Sequence, residues 1–525
     1  MHDSRNYLKG ALILTVAALV TKVLSAIYRV PFQNIVGDTG FYIYQQVYPF
    51  YGVLIALSTY GFPVIFSKMI AERIEDGDQY GVYQVLKTGF WLLLGMGLLG
   101  FSFLLSFAPF ISKAMGDPHL TPLIQMVSIS FLFLPFLSLW RGLFQGKGNM
   151  IPTAVSQVLE QNVRVVTILL LSYLAVASGR SLYAAGEGAL FGSVTGGLTG
   201  MLVLFFFTYK EGMLKHSYAS LDIRLMKEIL VNGTFICISG MLLVLLQLVD
   251  AFSVYPMLLE SGIDEAFAKI EKGVYDRGQP LIQLGTVVAT SLSLTSVPLL
   301  SGAFKRGENR EVNRYIILAI KVSIVIGSAA AVGLVNVIEV TNITLFSTNK
   351  GSNVLAVFVI SILFSSIILT VSGVLHGIGK IYTPGIFILL GVVFKYACNT
   401  VLVPRLGTMG ASIATVLALS LISACLVFSI RKIFDVRAFS KAFFIDGMIA
   451  LFLMTLTIQA WLFVLSGVGA PDDRLLAVFK TFTSVAWGAS IFALAMINSR
   501  IFEEGEIELL PLGDRLKKLQ WKRER

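Results

Sequence analysis

Apolar runs of about 20 residues recur along nearly the whole chain, separated by short polar turns; a helix needs that length to cross a roughly 30 Å hydrocarbon core. The runs place spans at 8–32, 40–70, 84–112, 120–144, 152–178, 183–209, 226–258, 277–303, 312–338, 352–378, 382–403, 408–431, 440–466 and 475–500. Helix is the expected element because it satisfies every backbone polar group within its own segment. The alternating pattern of about ten residues per strand that marks an outer-membrane barrel is missing. The expected fold is an all-α membrane protein with about 14 transmembrane helices.

Composition agrees with the pattern. Charged residues make up 14% of the chain and hydrophobic ones 56%, where soluble domains carry about 25% charged residues. The net charge is +10, which in a soluble protein would suggest a nucleic-acid partner. Here the cations sit mainly in short loops and in the tail Arg515-Leu516-Lys517-Lys518-Leu519-Gln520-Trp521-Lys522-Arg523. That placement fits topology and anionic headgroups, so membrane lipids are expected partners and nucleic acid is not. Placing the N-terminus inside puts roughly 27 Lys and Arg on the cytoplasmic side and roughly 8 outside. Both termini are therefore expected in the cytoplasm, with the protein spanning the cell membrane many times. The first apolar run is interrupted by Lys22 and Arg29 and lacks a convincing cleavage site, so it reads as a retained helix.

An internal repeat organises the chain. Leu143-Phe144-Gln145-Gly146-Lys147-Gly148-Asn149 precedes Pro152 and a helix containing Arg164; Val374-Leu375-His376-Gly377-Ile378-Gly379-Lys380 precedes Pro384 and a helix containing Lys395. The interval from Gly146 to Gly377 equals that from Arg164 to Lys395, and Gly188-Ala189 and Gly410-Ala411 open the next helix in each unit. Gly61-Phe62-Pro63 and Ser296-Val297-Pro298 add a weaker echo. An even number of spans separates equivalent points, so the repeat is parallel. Such repeats place a substrate site at the lobe interface and support rocking. The expected organisation is an N-lobe at 1–210, a polar linker at 211–225, and a C-lobe at 226–434. Two extra helices follow at 435–501, then a basic cytoplasmic tail at 502–525.

Cations inside spans carry the candidate chemistry, because each costs about 2.5–3.5 kcal/mol at mid-helix if it faces lipid. Lys22 is deep enough to favour a cavity, while Arg29, near a helix end, either snorkels or joins it. Glu160 and Arg164 have the i,i+4 spacing of an ion pair, structural or at a substrate site. Lys321 is close enough to a helix end to snorkel, and Lys480 lies at a boundary. Asp250, Lys395, Asn399 and Thr415 form a candidate polar, ion-like cluster, with Lys395 the natural partner of Asp250. Asp276 and Arg277 open the eighth helix ahead of Gln279 and Gln283, as a boundary salt bridge or a cavity mouth. With Gln45, Gln46, Gln157 and Gln161 as possible lining, the expected cavity is cationic and selects anions; guanidinium and ammonium groups suit phosphate.

No catalytic or metal site is expected. Cys237, Cys398 and Cys425 lack ligand spacing, and the four histidines are scattered. Gly377-Ile378-Gly379-Lys380 lacks P-loop spacing, and Asp76-Gly77-Asp78 reads as a polar turn, not a metal-binding motif.

At these residues the chain resembles the MOP flippase superfamily, in particular the polysaccharide-biosynthesis branch of Gram-positive type that holds stage V sporulation protein B and the MurJ-like lipid II flippases. The matching stretches are Thr21-Lys22-Val23-Leu24, Gly61-Phe62-Pro63 with Ser67-Lys68, Phe144-Gln145-Gly146, Ile151-Pro152-Thr153-Ala154-Val155-Ser156-Gln157, Asp276-Arg277-Gly278-Gln279-Pro280 and Gly410-Ala411-Ser412-Ile413-Ala414-Thr415. The resemblance implies 14 helices in two six-helix lobes plus two, a cationic central cavity, and inner-to-outer transport of an undecaprenyl-pyrophosphate-linked sugar. It also implies a groove for the isoprenoid tail at 435–501. It puts Lys22 and Arg277 at family arginine positions and finds no match for a further helix-two arginine between Tyr48 and Ser58. Some relatives build a sodium site where Asp250, Asn399 and Thr415 stand; here Lys395 enters, so its ammonium is expected to replace the ion. No cofactor is expected, since the membrane potential favours outward movement of negative charge by about 2.3 kcal/mol per charge per 100 mV. A monomer is the expected state. The alternatives are a multidrug or ion antiporter of the same fold and, more remotely, a membrane glycosyltransferase.

Overall fold

A computed structural model describes residues 2–212, 219–294, 297–434, 439–467, 473–499, 501–502 and 506, with side chains described from residue 13 on except 288–299. Most of the 502–525 tail, the middle of the 211–225 linker and Ser296 lie outside the described residues. Among the described residues there is no β-strand, and twelve segments are long and apolar enough to cross a membrane. The protein is an all-α, multi-pass membrane protein.

The expected first and second spans form one continuous segment, Ile13–Glu75 of 63 residues. Within it run α1 (His2–Ile27), α2 (Arg29–Ile55), a wider π-helical turn (Ala56–Gly61) and α3 (Phe62–Glu75). The change of direction comes at Gly37, whose φ of +68° a side chain would strain. Long helices α4 (Gln79–Ala114), α7 (Ile151–Ala177) and α8 (Leu182–Lys210) follow, with α5 (Thr121–Ser128) and α6 (Leu134–Gly146) sharing the fourth span. The seventh span is interrupted at Met241 into α9 (Ile223–Gly240) and α10 (Leu242–Glu260). A short amphipathic helix with one buried face, α11 (Glu265–Asp276), precedes the eighth span, which consists of α12 (Gly278–Leu294) and α13 (Val297–Lys305). Then come α14 (Asn309–Phe346), α15 (Ser352–Val359), α16 (Ser361–Gly377), α17 (Tyr382–Leu406), α18 (Thr408–Ile433), α19 (Lys441–Val464) and α20 (Arg474–Ile497).

Local chemistry sets the ends. Asp78 caps α4, accepting from Gly81 N at 2.8 Å, so Asp76-Gly77-Asp78 is a helix-starting turn. Ser181 does the same for α8 from Ala184 N at 3.2 Å. Glycines at positive φ close α6, α7 and α16 at Gly148, Gly179 and Gly379.

The chain forms two compact units: Met1–Asp276 with Ile381–Ala411, and Arg277–Lys380 with Ser412–Arg525. The repeat boundaries describe internal similarity along the chain, whereas these units describe packing. In the first, α7 and α8 pack closely along Gly188, Gly192, Gly196 and Gly200. A Cβ at Gly192 would stand 2.9 Å from Arg164 O, and one at Gly196 2.9 Å from Glu160 O. Small residues at this spacing let two membrane helices touch backbone to backbone. The second unit has a core of Val325, Val337, Phe443, Ala450, Met454, Ile458, Phe492 and Met496, from α14, α19 and α20.

Candidate functional site

Tyr44, Tyr48 and Tyr51 lie at helical spacing on α2, and Tyr28 sits at the junction with α1. All four are buried, and Tyr28 Oη lies 2.8 Å from Tyr44 Oη. Into this stripe point two guanidinium groups. Arg29, the first residue of α2, stands 4.5 Å from the Tyr48 ring centre. Arg164, from α7, stands 5.0 Å from Tyr51 and 5.5 Å from Tyr28. Both arginines are fully buried. Arg164 Nη2 reaches Ser25 Oγ at 3.4 Å; Arg29 Nε, Nη1 and Nη2 and Arg164 Nε and Nη1 have no hydrogen-bond acceptor in bonding geometry. Tyrosine faces soften the burial of these charges through cation–π attraction. The hydroxyl groups around the guanidiniums carry no charge to neutralise them, and an anion would.

Glu160 does not form the expected pair with Arg164. Its carboxylate is taken by Arg141 of α6, a fully buried residue that also donates to Ser58 O at 3.2 Å and Thr59 Oγ1 at 3.1 Å. Sequence reasoning missed Arg141 because it stands near the end of an apolar run, where a cation reads as a boundary marker. It missed the tyrosines because an aromatic stripe at helical spacing reads as core.

The other predicted residues have separate places. Lys22 is exposed, its ammonium 5.9 Å from the Tyr60 ring centre, and is not in the tyrosine cluster. Gln45, Gln46, Gln157 and Gln161 are buried in the same unit, and Gln46 donates to Ala251 O at 3.1 Å. Lys395 Nζ lies 2.7 Å from Asp250 Oδ2 and 3.0 Å from Leu246 O. Asn399 Nδ2 donates to Asp250 Oδ1 at 3.2 Å and Ser253 Oγ at 2.8 Å, and Tyr275 Oη donates to Asp250 Oδ2 at 2.8 Å. Thr415 is buried in the other unit.

Asp276 closes α11 with Lys272 Nζ 2.6 Å from its Oδ1, so its ion pair is within that helix. Burial pushes its carboxyl up to about 6, against the opposing pull of Lys272. Arg277 belongs to the second unit, where Nη1 donates to Asn342 Oδ1 at 3.3 Å and the guanidinium lies 5.1 Å from the Phe346 ring centre. Gln279 is buried and Gln283 half-buried there. Lys321 does not snorkel: it is buried and its ammonium lies 2.8 Å from Glu506 Oε2, a carboxylate that partners it inside the fold. Lys480 is half-buried on α20. An open cavity of about 540 Å³ between α5, α7 and α8, lined by Leu171, Leu174, Arg180 and Glu187 among others, contains none of the predicted site residues.

Residues 7–304 match the family model described as polysaccharide biosynthesis protein. The chain belongs to this family. One family relative, the uncharacterized membrane protein YabM of Bacillus subtilis (strain 168), is 38% identical over 98% of this chain and 97% of its own. Lipid II flippase MurJ of the same organism is 27% identical over 79% of this chain and 80% of its own. Stage V sporulation protein B, also from that organism, is 24% identical over 98% of this chain and 99% of its own. Among solved structures, an inward-facing MATE multidrug transporter of the MOP superfamily superposes with a TM-score of 0.65 at 16% identity, covering 81% of this chain and 98% of that one. Lipid II flippase MurJ in an inward closed conformation superposes at 0.61 and 16% identity, covering 93% of this chain and 100% of that one. The fold of this chain is thus that of the MOP-superfamily transporters it superposes on.

Proposed function

We propose that this chain is a flippase that moves an undecaprenyl-pyrophosphate-linked cell-wall precursor, lipid II-like, from the inner to the outer leaflet by alternating access. The observation that carries the reading is the pair Arg29 and Arg164: two buried guanidiniums with unpartnered nitrogens, walled by four tyrosines. Burying an unpaired charge is expensive, so such a pair persists in a fold because it is used. A diphosphate suits it, since each guanidinium offers a planar fork of donors to phosphate oxygens. Kinship to lipid II flippase MurJ and stage V sporulation protein B supports the same substrate class.

In this reading both termini are cytoplasmic, the six-helix lobes at 1–210 and 226–434 rock about the 211–225 linker, and the 435–501 helices guide the isoprenoid tail. Lys22 and Arg277 draw the headgroup in, while Arg29 and Arg164 bind it. The protein works as a monomer, makes and breaks no covalent bond, and uses the membrane potential. A drug or cation antiporter of the same fold would place surplus carboxylates where this chain places arginines.

The test is a leaflet-accessibility assay for lipid II in cells depleted of the protein and complemented with wild type, Arg29→Ala or Arg164→Ala. The reading expects outer-leaflet lipid II to fall on depletion and to return with wild type only. Equal recovery by all three would remove it.

A further inference from the structure

Glu160 and Arg164 stand four residues apart on α7, the spacing at which an acid and a base on one helix face meet by default. Glu160 is turned the other way. Its Oε2 accepts from Arg141 Nη2, and its Oε1 lies 3.5 Å from Tyr51 Oη. Arg141 cannot follow Glu160 toward Arg164, because its remaining nitrogens are engaged by Ser58 O at 3.2 Å, Thr59 Oγ1 at 3.1 Å and Ser156 Oγ at 3.4 Å. Room for the turned carboxylate comes from α8, where a Cβ at Gly200 would stand 2.9 Å from Glu160 Oε2.

We propose that Arg141 is a positioning residue: by holding Glu160, it keeps Arg164 an uncompensated cation for the diphosphate of the substrate. The inference rests on the transport reading above. Without Arg141, Glu160 would be a carboxylate beside a guanidinium at the favoured helical spacing, and it would occupy the charge that the ligand needs. Arg141 then acts without touching the ligand, and a negative charge at position 160 does most harm to binding when Arg141 is absent.

The test measures binding of undecaprenyl diphosphate to the purified full-length protein in nanodiscs, with thermal unfolding recorded for every variant. Arg141→Gln weakens binding at least about tenfold, whereas Arg141→Lys, which keeps the charge, stays within about threefold of wild type. The double variant Arg141→Gln/Glu160→Gln returns to within about threefold of wild type, and the unfolding midpoints separate this rescue of binding from the recovery of stability that neutralising both partners of a buried pair gives. Glu160→Gln alone binds more tightly than wild type, and this measurement stands even if Arg141→Gln does not fold. Binding that Arg164→Ala abolishes, with no rescue in the double variant or no tightening in Glu160→Gln, overturns this inference alone. Absence of binding by wild type, or binding indifferent to Arg164→Ala, overturns the transport reading and this inference with it.

Discussion

Lys395 places its ammonium 2.7 Å from Asp250 Oδ2, and both side chains are shut away from solvent between α17 and α10. The carboxylate is saturated: Lys395, Asn399 and Tyr275 all donate to it. A buried pair of this kind does more to determine how two helices meet than to add net stability.

Removing one partner therefore exposes the full cost of the other. Lys395→Ala is expected to destabilise the protein by about 3–5 kcal/mol, and Asp250→Asn/Lys395→Met to recover most of that loss. Denaturant or thermal unfolding in detergent measures both. With the ammonium in place, transport by wild type is expected to be equal in sodium and potassium media, and Lys395→Ala to become sodium-sensitive. Sodium dependence of wild type would remove the idea that the ammonium stands in for the ion.

Arg29 and Arg164, both fully buried against the tyrosines, are expected to be sensitive positions. Either alanine variant should lower outer-leaflet delivery of lipid II by at least about tenfold, the loss of one charge-assisted hydrogen bond. Lysine at either place should restore it only partly, because an ammonium lacks the planar fork. Lys22→Ala, from an exposed residue outside the tyrosine cluster, should have the smaller effect in the same assay.

Dissipating the membrane potential should slow export, since each negative charge gains about 2.3 kcal/mol per 100 mV on moving outward. Proteoliposomes with an imposed potassium diffusion potential measure this. Rates independent of the sign of the potential would eliminate it as the driving force.

Lys321 of α14 and Glu506 pair with an ammonium-to-carboxylate distance of 2.8 Å, in a buried setting. Glu506→Gln should lower the unfolding midpoint more than Lys321→Met/Glu506→Gln, because the single change leaves a buried cation without its partner.

The Asp276 carboxyl is pushed up to about 6 by burial in α11. Its native value lies above the unfolded one of about 3.9, so the folded state binds the extra proton between the two. Stability from this group is complete below the unfolded value and is lost as pH rises through about 6. The unfolding midpoint should fall between about pH 4 and 6 and level off above, and Asp276→Asn should flatten that slope whatever its effect on the midpoint itself.

The sequence by itself determined the membrane class and most of the spans. It could do so because these depend on a local quantity, the length of an apolar run; the helix ends came with the structure, at capping Asp78 and Ser181 and at glycines of positive φ. The sequence also placed Arg29, Arg164, Lys321 and Lys395 inside apolar segments, which is a matter of position along one helix. Only the tertiary structure decided whom each charge meets. Glu160 turns to Arg141 instead of its helix neighbour Arg164, Lys321 meets Glu506, and Arg29 meets Tyr48 instead of a headgroup. Such partnerships depend on the rotation and register of one helix against another. Those are set by the sum of many contacts, such as the glycine seam that seats α8 on α7, and no spacing within a single helix encodes them.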